Sequence, residues 1–230
     1  MNEPVVALVV AAGSGSRLGG EVPKALVEIG GKPLVRWSVE ALAAGGCERA
    51  VVVAAAALVD DFAAVLAGVP VPVEIVVGGA RRQDSVANGL AAAGDRGIVL
   101  VHDAARPFVP VDVVRGVRDA VSGGQVCVIP VVPVVDTIRR RTGPESSEVV
   151  DRSQLVAVQT PQGFDLATLR EAHAEAARRG LEVTDDAAIC EALGHPVCLV
   201  PGSRDATKVT EPFDILVASA IATSRAQEQP

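Results

Sequence analysis

The chain of 230 residues contains no tyrosine, one tryptophan and four phenylalanines, so aromatics make up only 2% of it. A surface that reads nucleic acid by base stacking needs aromatics and a positive balance. This chain has neither, with a formal net charge of −7. General nucleic-acid binding is therefore disfavoured, and any phosphate site has to be a local gathering of Lys and Arg. The cysteines Cys47, Cys127, Cys190 and Cys198 form no CxxC pair, and His102, His173 and His195 show no metal-ligand spacing. A reduced, cytoplasmic setting without a zinc site fits this usage. No apolar stretch approaches transmembrane length. Glu3 and the glycines from Gly13 onward interrupt what a signal peptide would need, so neither membrane nor export is expected.

What is abundant is small and apolar. Hydrophobic residues make up 49% of the sequence, much of it Val and Ala. The length suits one α/β domain, residues 1–230, with room for an appendage. Apolar runs recur at Val5–Ala11, Ala50–Ala54, Val73–Val77, Ile98–Val101 and Val126–Val132. Helical patterns lie between them at Leu34–Ala44, Leu58–Leu66, Ser85–Ala93 and Val111–Val121. Continuous apolar strands alternating with helices predict a mostly parallel sheet covered on both faces. The rhythm changes over residues 133–158, where two short alternating runs flank Thr142-Gly143-Pro144, the pattern of a protruding hairpin. Helices over Leu166–Arg179 and Asp185–Leu193, a strand Val197–Val200 and a helix from Pro212 follow, with the last seven residues expected to fray.

The first strand ends in AAGSGSRLGGEVPK, which resembles two nucleotide motifs and matches neither. A dinucleotide fingerprint needs a third glycine where Leu18 stands, and an acid at the end of the next strand, where only Ala54–Ala57 follow. A P-loop needs Lys and a hydroxyl where Glu21 and Val22 stand. Pro23 discourages helix at Val22, so a long loop carries Arg17 and Lys24 above the strand end. Backbone N–H groups of such a loop can form a nest for phosphate oxygens, and the two cations add charge-assisted donors. The plain alternative is a surface loop with two solvated cations.

Ligands of open α/β sheets bind beyond the carboxyl ends of the strands, which singles out two further loops and the hairpin root near Thr137. In GGARRQDS, Gly78 and Gly79 allow close backbone approach and Ser85 offers a hydroxyl; the alternative is a helix start capped by Asp84 or Ser85. In VHDAARPF, Asp103 ends a strand and faces the expected crevice, where a carboxylate beside phosphates commonly holds Mg²⁺. The alternative is an exposed ion pair with Arg106, worth little. His102 points away from Asp103 and reads as structural. By local pattern alone Thr184 is an N-cap before Asp185 and Asp186, Lys208 a solvated residue in a short strand, and Arg139–Arg141 a solvated arm. Arg152 is ambiguous, and reaches a shared site only if the arm meets a partner subunit.

Taken together, AAGSGSRLGGEVPK, GGARRQDSV, VHDAARPFV, DTI, VDRSQL, TPQGF, TDDA and KVTEPFD resemble the 2-C-methyl-D-erythritol 4-phosphate cytidylyltransferase family of non-mevalonate isoprenoid synthesis along nearly the whole chain. The resemblance implies a three-layer Rossmann-like nucleotidyltransferase fold and a homodimer joined through the 133–158 arm. It implies that Ala11, Ala12, Gly13 and Gly15 cradle CTP while Arg17 and Lys24 stabilise the transition state. Gly79 and Ser85 would read cytosine and ribose, with Asp103 and Ala104 completing the nucleotide set and Asp103 holding Mg²⁺. Asp103, Arg106, Thr137, Thr184 and Lys208 would meet 2-C-methyl-D-erythritol 4-phosphate, and Arg152 of a partner subunit would orient it together with Lys208. Departures from the family pattern are small: Val10 stands where Pro is frequent, Leu18 where Met is usual, and Ala25 where Gln commonly follows the Pro-Lys pair.

The implied reaction needs no general base, because a phosphate monoester with a second pKa of about 6 is already a nucleophile at neutral pH. Ribitol 5-phosphate is the rival acceptor on the same fold. A dinucleotide-dependent oxidoreductase is disfavoured by Leu18 and the missing ribose acid. The rival of another class is a regulatory domain that binds nucleotide without chemistry. Against it stand Arg17, Lys24, Asp103, Arg152 and Lys208 together.

Overall fold

Odd and even residues of the first strand point to opposite sides, and both sides are buried, which is why the run is apolar without alternation. In the computed structural model, which describes residues 3–13 and 22–228, β1 (Val5–Val10) lies at the centre of an eight-stranded sheet. It pairs in parallel with β4 (Arg49–Ala54) and β6 (Ile98–Asp103), and β5 (Val73–Val77) adds in parallel beyond β4. On one face Ala7 and Val9 pack with α1 (Leu34–Ala44), α2 (Val59–Val65) and α4 (Val111–Ser122). On the other, Val6 and Leu8 pack with α3 (Arg82–Ala92), α5 (Leu166–Arg179) and α6 (Asp186–Ala192). The three-layer, mostly parallel architecture is the one expected. Among the described residues, no helix is long and apolar enough to cross a membrane.

The far half of the sheet is mixed. Here β11 (Gln162–Asp165) runs antiparallel between β6 and β7 (Cys127–Pro133), β10 (Val156–Val158) continues along the same edge of β7, and β12 (Val197–Pro201) pairs in parallel with β7. Neither β10 nor β11 is predicted from the sequence. Val156, Ala157 and Val158 are all exposed, and Gly163 interrupts the apolar pattern of β11. That glycine is required by packing: a Cβ there would come within 2.5 Å of Val117 Cγ1 on α4. Between β7 and β10, β8 (Ile138–Arg141) and β9 (Ser147–Val150) form a separate two-stranded antiparallel sheet.

Three further expectations are corrected. Helix α3 begins at Arg82, three residues early, because the Asp84 carboxylate reaches back and accepts from Arg81 N–H at 3.2 Å, capping the first turn. The last helix, α7 (Pro212–Glu228), continues into the segment expected to fray, as far as the described residues reach. Lys208 lies outside any strand, in the irregular stretch before α7. That stretch is fixed by neighbouring residues: Ala206 and Val209 are fully buried, and Val209 N–H donates to Ala105 O at 2.8 Å. Burying a Val side chain is worth about 1.5–3 kcal/mol. Val209 joins Ile29, Leu34, Phe108, Ala218 and Ala222 in a small cluster that docks α7 against the short ribbon β2 (Glu28–Ile29) and β3 (Lys32–Pro33). Lys208 is thereby carried to the carboxyl end of β6.

Candidate functional site

Parallel pairing sets Val10 beside both Val53 and Asp103, so the chain leaves β1, β4 and β6 at one edge of the sheet. The ladder extends past the strands, with Ala11 N–H donating to Val53 O at 2.8 Å and Gly78 N–H to Ala54 O at 2.8 Å. The loops beyond enclose a crevice of about 230 Å³, lined among the described residues by Ala11–Gly13, Lys24, Gly79–Arg82, Ser85, Asp103–Ala105 and Lys208. Close approach is built in at Gly78, where a Cβ would lie 2.6 Å from Ala12 Cβ and 2.9 Å from Ser85 Oγ. Ser85 is buried; its hydroxyl accepts from Gly79 N–H at 3.1 Å, so it shapes the loop rather than capping the helix.

Asp103 is the only acid that lines the crevice among the described residues. The ion pair with Arg106 weighed from sequence is replaced by others. Lys208 Nζ lies 2.6 Å from Asp103 Oδ2, and Arg82 Nε lies 3.7 Å from Oδ1. Burial alone would push this carboxyl up, but the charges of Lys208 and Arg82 outweigh it and hold it down at about 2. Its backbone N–H donates to Thr160 Oγ1 at 3.1 Å, which fixes the strand end.

His102 is fully buried on the other side of β6. Its Nε2 lies 3.1 Å from Arg106 O, an acceptor, so Nε2 carries the proton and Nδ1 accepts from the Thr160 hydroxyl at 3.1 Å. Burial pushes its pKa down to about 4, leaving a neutral ring committed to structure.

Lys24, Asp103 and Lys208 thus meet in one crevice with Ala11, Ala12, Gly13, Gly79, Ser85 and Ala104. Arg106, Thr137, Arg152 and Thr184 do not line it. Arg106 instead braces two backbone segments, donating to Ala206 O at 2.7 Å and Val158 O at 3.4 Å. Thr137 is exposed at the root of the β8–β9 ribbon, and Arg152 donates to Val135 O at the same root. Thr184 is exposed, and the N-cap role falls to Asp185, whose carboxylate accepts from Ala188 N–H at 2.9 Å. Gly15 and Arg17 lie outside the described residues.

Two groups near the crevice escape the sequence reading. Arg82 is quoted in GGARRQDS with nothing to separate it from Arg81, yet Arg81 pairs with Asp84 and Glu182 whereas Arg82 pairs with Asp103 and Asp186. Asp186, behind Arg82, is 1% exposed.

Comparison with known proteins agrees with the geometry. Residues 5–224 match the family model described as IspD, 2-C-methyl-D-erythritol 4-phosphate cytidylyltransferase. The chain is 48% identical to the 2-C-methyl-D-erythritol 4-phosphate cytidylyltransferase of Saccharopolyspora erythraea, covering 94% of this chain and 98% of that one. It is 45% identical to the enzyme of the same name from Nocardia farcinica, covering 96% and 95%. The crystal structure of the enzyme of that name from Thermus thermophilus superposes with a TM-score of 0.79 at 38% identity, covering 94% of this chain and 98% of that chain.

Proposed function

The chain belongs to the 2-C-methyl-D-erythritol 4-phosphate cytidylyltransferase family, and we infer from its crevice how it transfers a cytidylyl group from CTP to 2-C-methyl-D-erythritol 4-phosphate. The products are 4-diphosphocytidyl-2-C-methyl-D-erythritol and pyrophosphate. One observation carries the reading: Lys24, Lys208 and a single ionised carboxylate, Asp103, converge on the glycine-bearing end of β1. In an open parallel sheet that edge is where nucleotides bind.

On this reading the triphosphate lies along the backbone of Ala11, Ala12, Gly13 and Gly15, and Gly79, Ser85 and Ala104 border the nucleoside. The donor set fits magnesium of the kind held by one carboxylate together with phosphate oxygens, since Asp103 is ionised, 13% exposed and the only acid of the crevice lining among the described residues. When bound, such a metal neutralises charge on the triphosphate. Lys24 and Arg17 stabilise the charge that develops around the α-phosphorus. An oxygen of the acceptor phosphate attacks that phosphorus in line; the new P–O bond forms as the bond to the β-phosphate bridge breaks, and pyrophosphate leaves with the electron pair. The acceptor phosphate is largely dianionic at pH 7, so no side chain has to remove a proton. The buried neutral His102 agrees with that. Positioning and preorganised charge supply the catalysis.

The acceptor half is completed, on this proposal, by a second copy of the chain. Arg106, Thr137, Thr184 and Lys208 face the polyol phosphate, and Arg152 comes from the partner. Support comes from the arm and its root, where Val135, Val149, Val156, Val158 and Leu199 are all exposed, an apolar surface that a homodimer would cover. We take the enzyme to work in the cytoplasm, where scattered unpaired cysteines stay reduced.

The test is pyrophosphate release by the purified chain with Mg²⁺ and CTP. Methylerythritol phosphate and ribitol 5-phosphate are offered separately, and ATP, GTP and UTP serve as controls. Release only with CTP and methylerythritol phosphate is expected. Release with ribitol 5-phosphate instead would keep the nucleotide half and refute the acceptor contacts. No release with any pair would leave a binding domain without chemistry.

A further inference from the structure

Arg82, Asp186 and His173 take none of the roles above, yet they extend the charges of the crevice into the protein as an unbroken series. Lys208 Nζ lies 2.6 Å from Asp103 Oδ2, and Asp103 Oδ1 lies 3.7 Å from Arg82 Nε. Arg82 Nη1 then lies 2.8 Å from Asp186 Oδ2, and Asp186 Oδ1 lies 3.0 Å from His173 Nε2. Signs alternate from Lys208 to Asp186, and the series crosses from the irregular segment before α7 through β6 and α3 to α6 and α5. A carboxylate can only accept here, so His173 Nε2 carries the proton. The other ring nitrogen of His173 is buried with no partner among the described residues, so the one polar contact among them that orients the ring is Asp186.

The anchor is built to be rigid. Asp186 is 1% exposed and His173 5% exposed. Burial would push the Asp186 carboxyl up, but the hydrogen bond from His173 and the charge of Arg82 outweigh it and keep it ionised. The backbone around it is held by Gln162 on β11, which donates to Asp185 Oδ2 at 2.8 Å and accepts from Ala187 N–H at 3.3 Å. A buried ion pair is a poor device for stability, since apolar residues of similar volume generally do as well or better. What Asp186 does that an apolar residue cannot is hold the Arg82 guanidinium by charge: the 2.8 Å contact is an ion pair, and Asp186 Oδ2 has no aligned hydrogen bond among the described residues. Arg82 Nε then stands 3.7 Å from Asp103 Oδ1, within reach of its charge.

We propose that Asp186 is a positioning residue for the nucleotide half of the site: oriented by His173, it fixes Arg82, and Arg82 fixes the Asp103 carboxylate on which metal and nucleotide depend. The proposal rests on the reading that the crevice takes CTP with a metal. Residues one step behind a metal-holding carboxylate typically change affinity by about 10–100-fold when replaced. Since Asp186 acts through Arg82, its effect has to vanish when Arg82 is absent, which is the non-additivity a double-mutant cycle detects.

The experiment measures CTP binding in the presence of Mg²⁺ by calorimetry for the full chain and for Asp186→Asn, Arg82→Gln and the double variant, with steady-state kinetics and thermal melts alongside. Each single change is expected to weaken CTP binding about 10-fold, with the double variant no weaker than Arg82→Gln alone and the KM for the acceptor within about twofold of wild type. His173→Gln, which keeps an N–H donor, is expected to stay near wild type, whereas His173→Leu falls with Asp186→Asn. Equal weakening by Asp186→Asn in both Arg82 backgrounds, or a lowered melting temperature with unchanged CTP affinity, overturns the proposal. If Asp186→Asn does not fold, the two His173 variants decide it by the same criterion. Failure of the wild-type chain to bind CTP refutes the functional reading instead, which separates the two.

Discussion

Replacing Lys208 by Met removes the ammonium 2.6 Å from Asp103 while keeping the length of the side chain. The lowering of the Asp103 carboxyl from its ordinary 3.8 to about 2 in the folded chain is equivalent to about 2 kcal/mol of folding free energy at pH 7. The sign follows from the depression: this contribution is fully present above about pH 4, falls to roughly half by pH 3, and is lost as the pH drops through 2. Arg82 shares the work, but it stands farther off at 3.7 Å and is also engaged by Asp186. Lys208→Met is therefore expected to cost about 1–2 kcal/mol at pH 7 and about half of that at pH 3. Urea unfolding of both proteins at the two pH values measures the difference directly. An equal cost at both would refute the argument, because it would mean that Lys208 stabilises the fold by something other than the charge of Asp103.

Three further outcomes are expected. Lys24→Ala should lower kcat by far more than it weakens CTP binding, and a rise in KM at unchanged kcat would remove Lys24 from the transition state. Gly78→Ala would bring a methyl within 2.6 Å of Ala12 and is expected to cost about 1–3 kcal/mol by overpacking and to weaken CTP binding; an unchanged melting temperature and affinity would show that the loops tolerate separation. If Arg152 acts across a two-fold interface, mixing inactive Lys24→Ala and Arg152→Ala proteins through unfolding and refolding should restore up to about a quarter of wild-type activity, because half the dimers are mixed and each has one intact site. No recovery in the mixture would assign Arg152 to its own subunit.

How much of this was legible in the sequence depends on whether a residue's partners are near it along the chain. The ends of α1 and α5 coincide with the predicted ones, since Pro33, Asp165 and Gly180 mark them locally. The strand expected over Ile98–Val101 runs on to Asp103, whose place at the strand end facing the crevice could be read from sequence. Its partners could not be read, because Lys208 is 105 residues away and lies there only by virtue of buried Ala206 and Val209. Local reading of Lys208 as solvated failed for that reason, and resemblance alone pointed to it. Strand β11 escaped because its partners, β6 and β7, are both distant and its Gly163 is dictated by Val117 on α4. Arg81 and Arg82 are indistinguishable in composition, and what separates them is distant partners, Glu182 for the first and Asp103 with Asp186 for the second.

The same charges explain how an acidic chain can bind two anions. With a net charge of −7, the molecule as a whole repels CTP and a sugar phosphate, so attraction must come from short-range groups. Cations gathered in an otherwise empty crevice would repel one another and spread apart. Asp103, standing between them, and Asp186, behind Arg82, prevent this, so that Lys208 and Arg82 are held in place before any phosphate arrives. Catalysis by preorganised charge requires that the groups need no rearrangement when the reaction occurs. Interleaved carboxylates provide that order, and they predict that removing a carboxylate will not strengthen anion binding despite the more positive charge. Asp103→Asn and Asp186→Asn should each weaken CTP binding, as measured by calorimetry in the presence of Mg²⁺. Tighter binding by either variant would mean that the crevice works through net positive charge alone, and the ordering argument would fall.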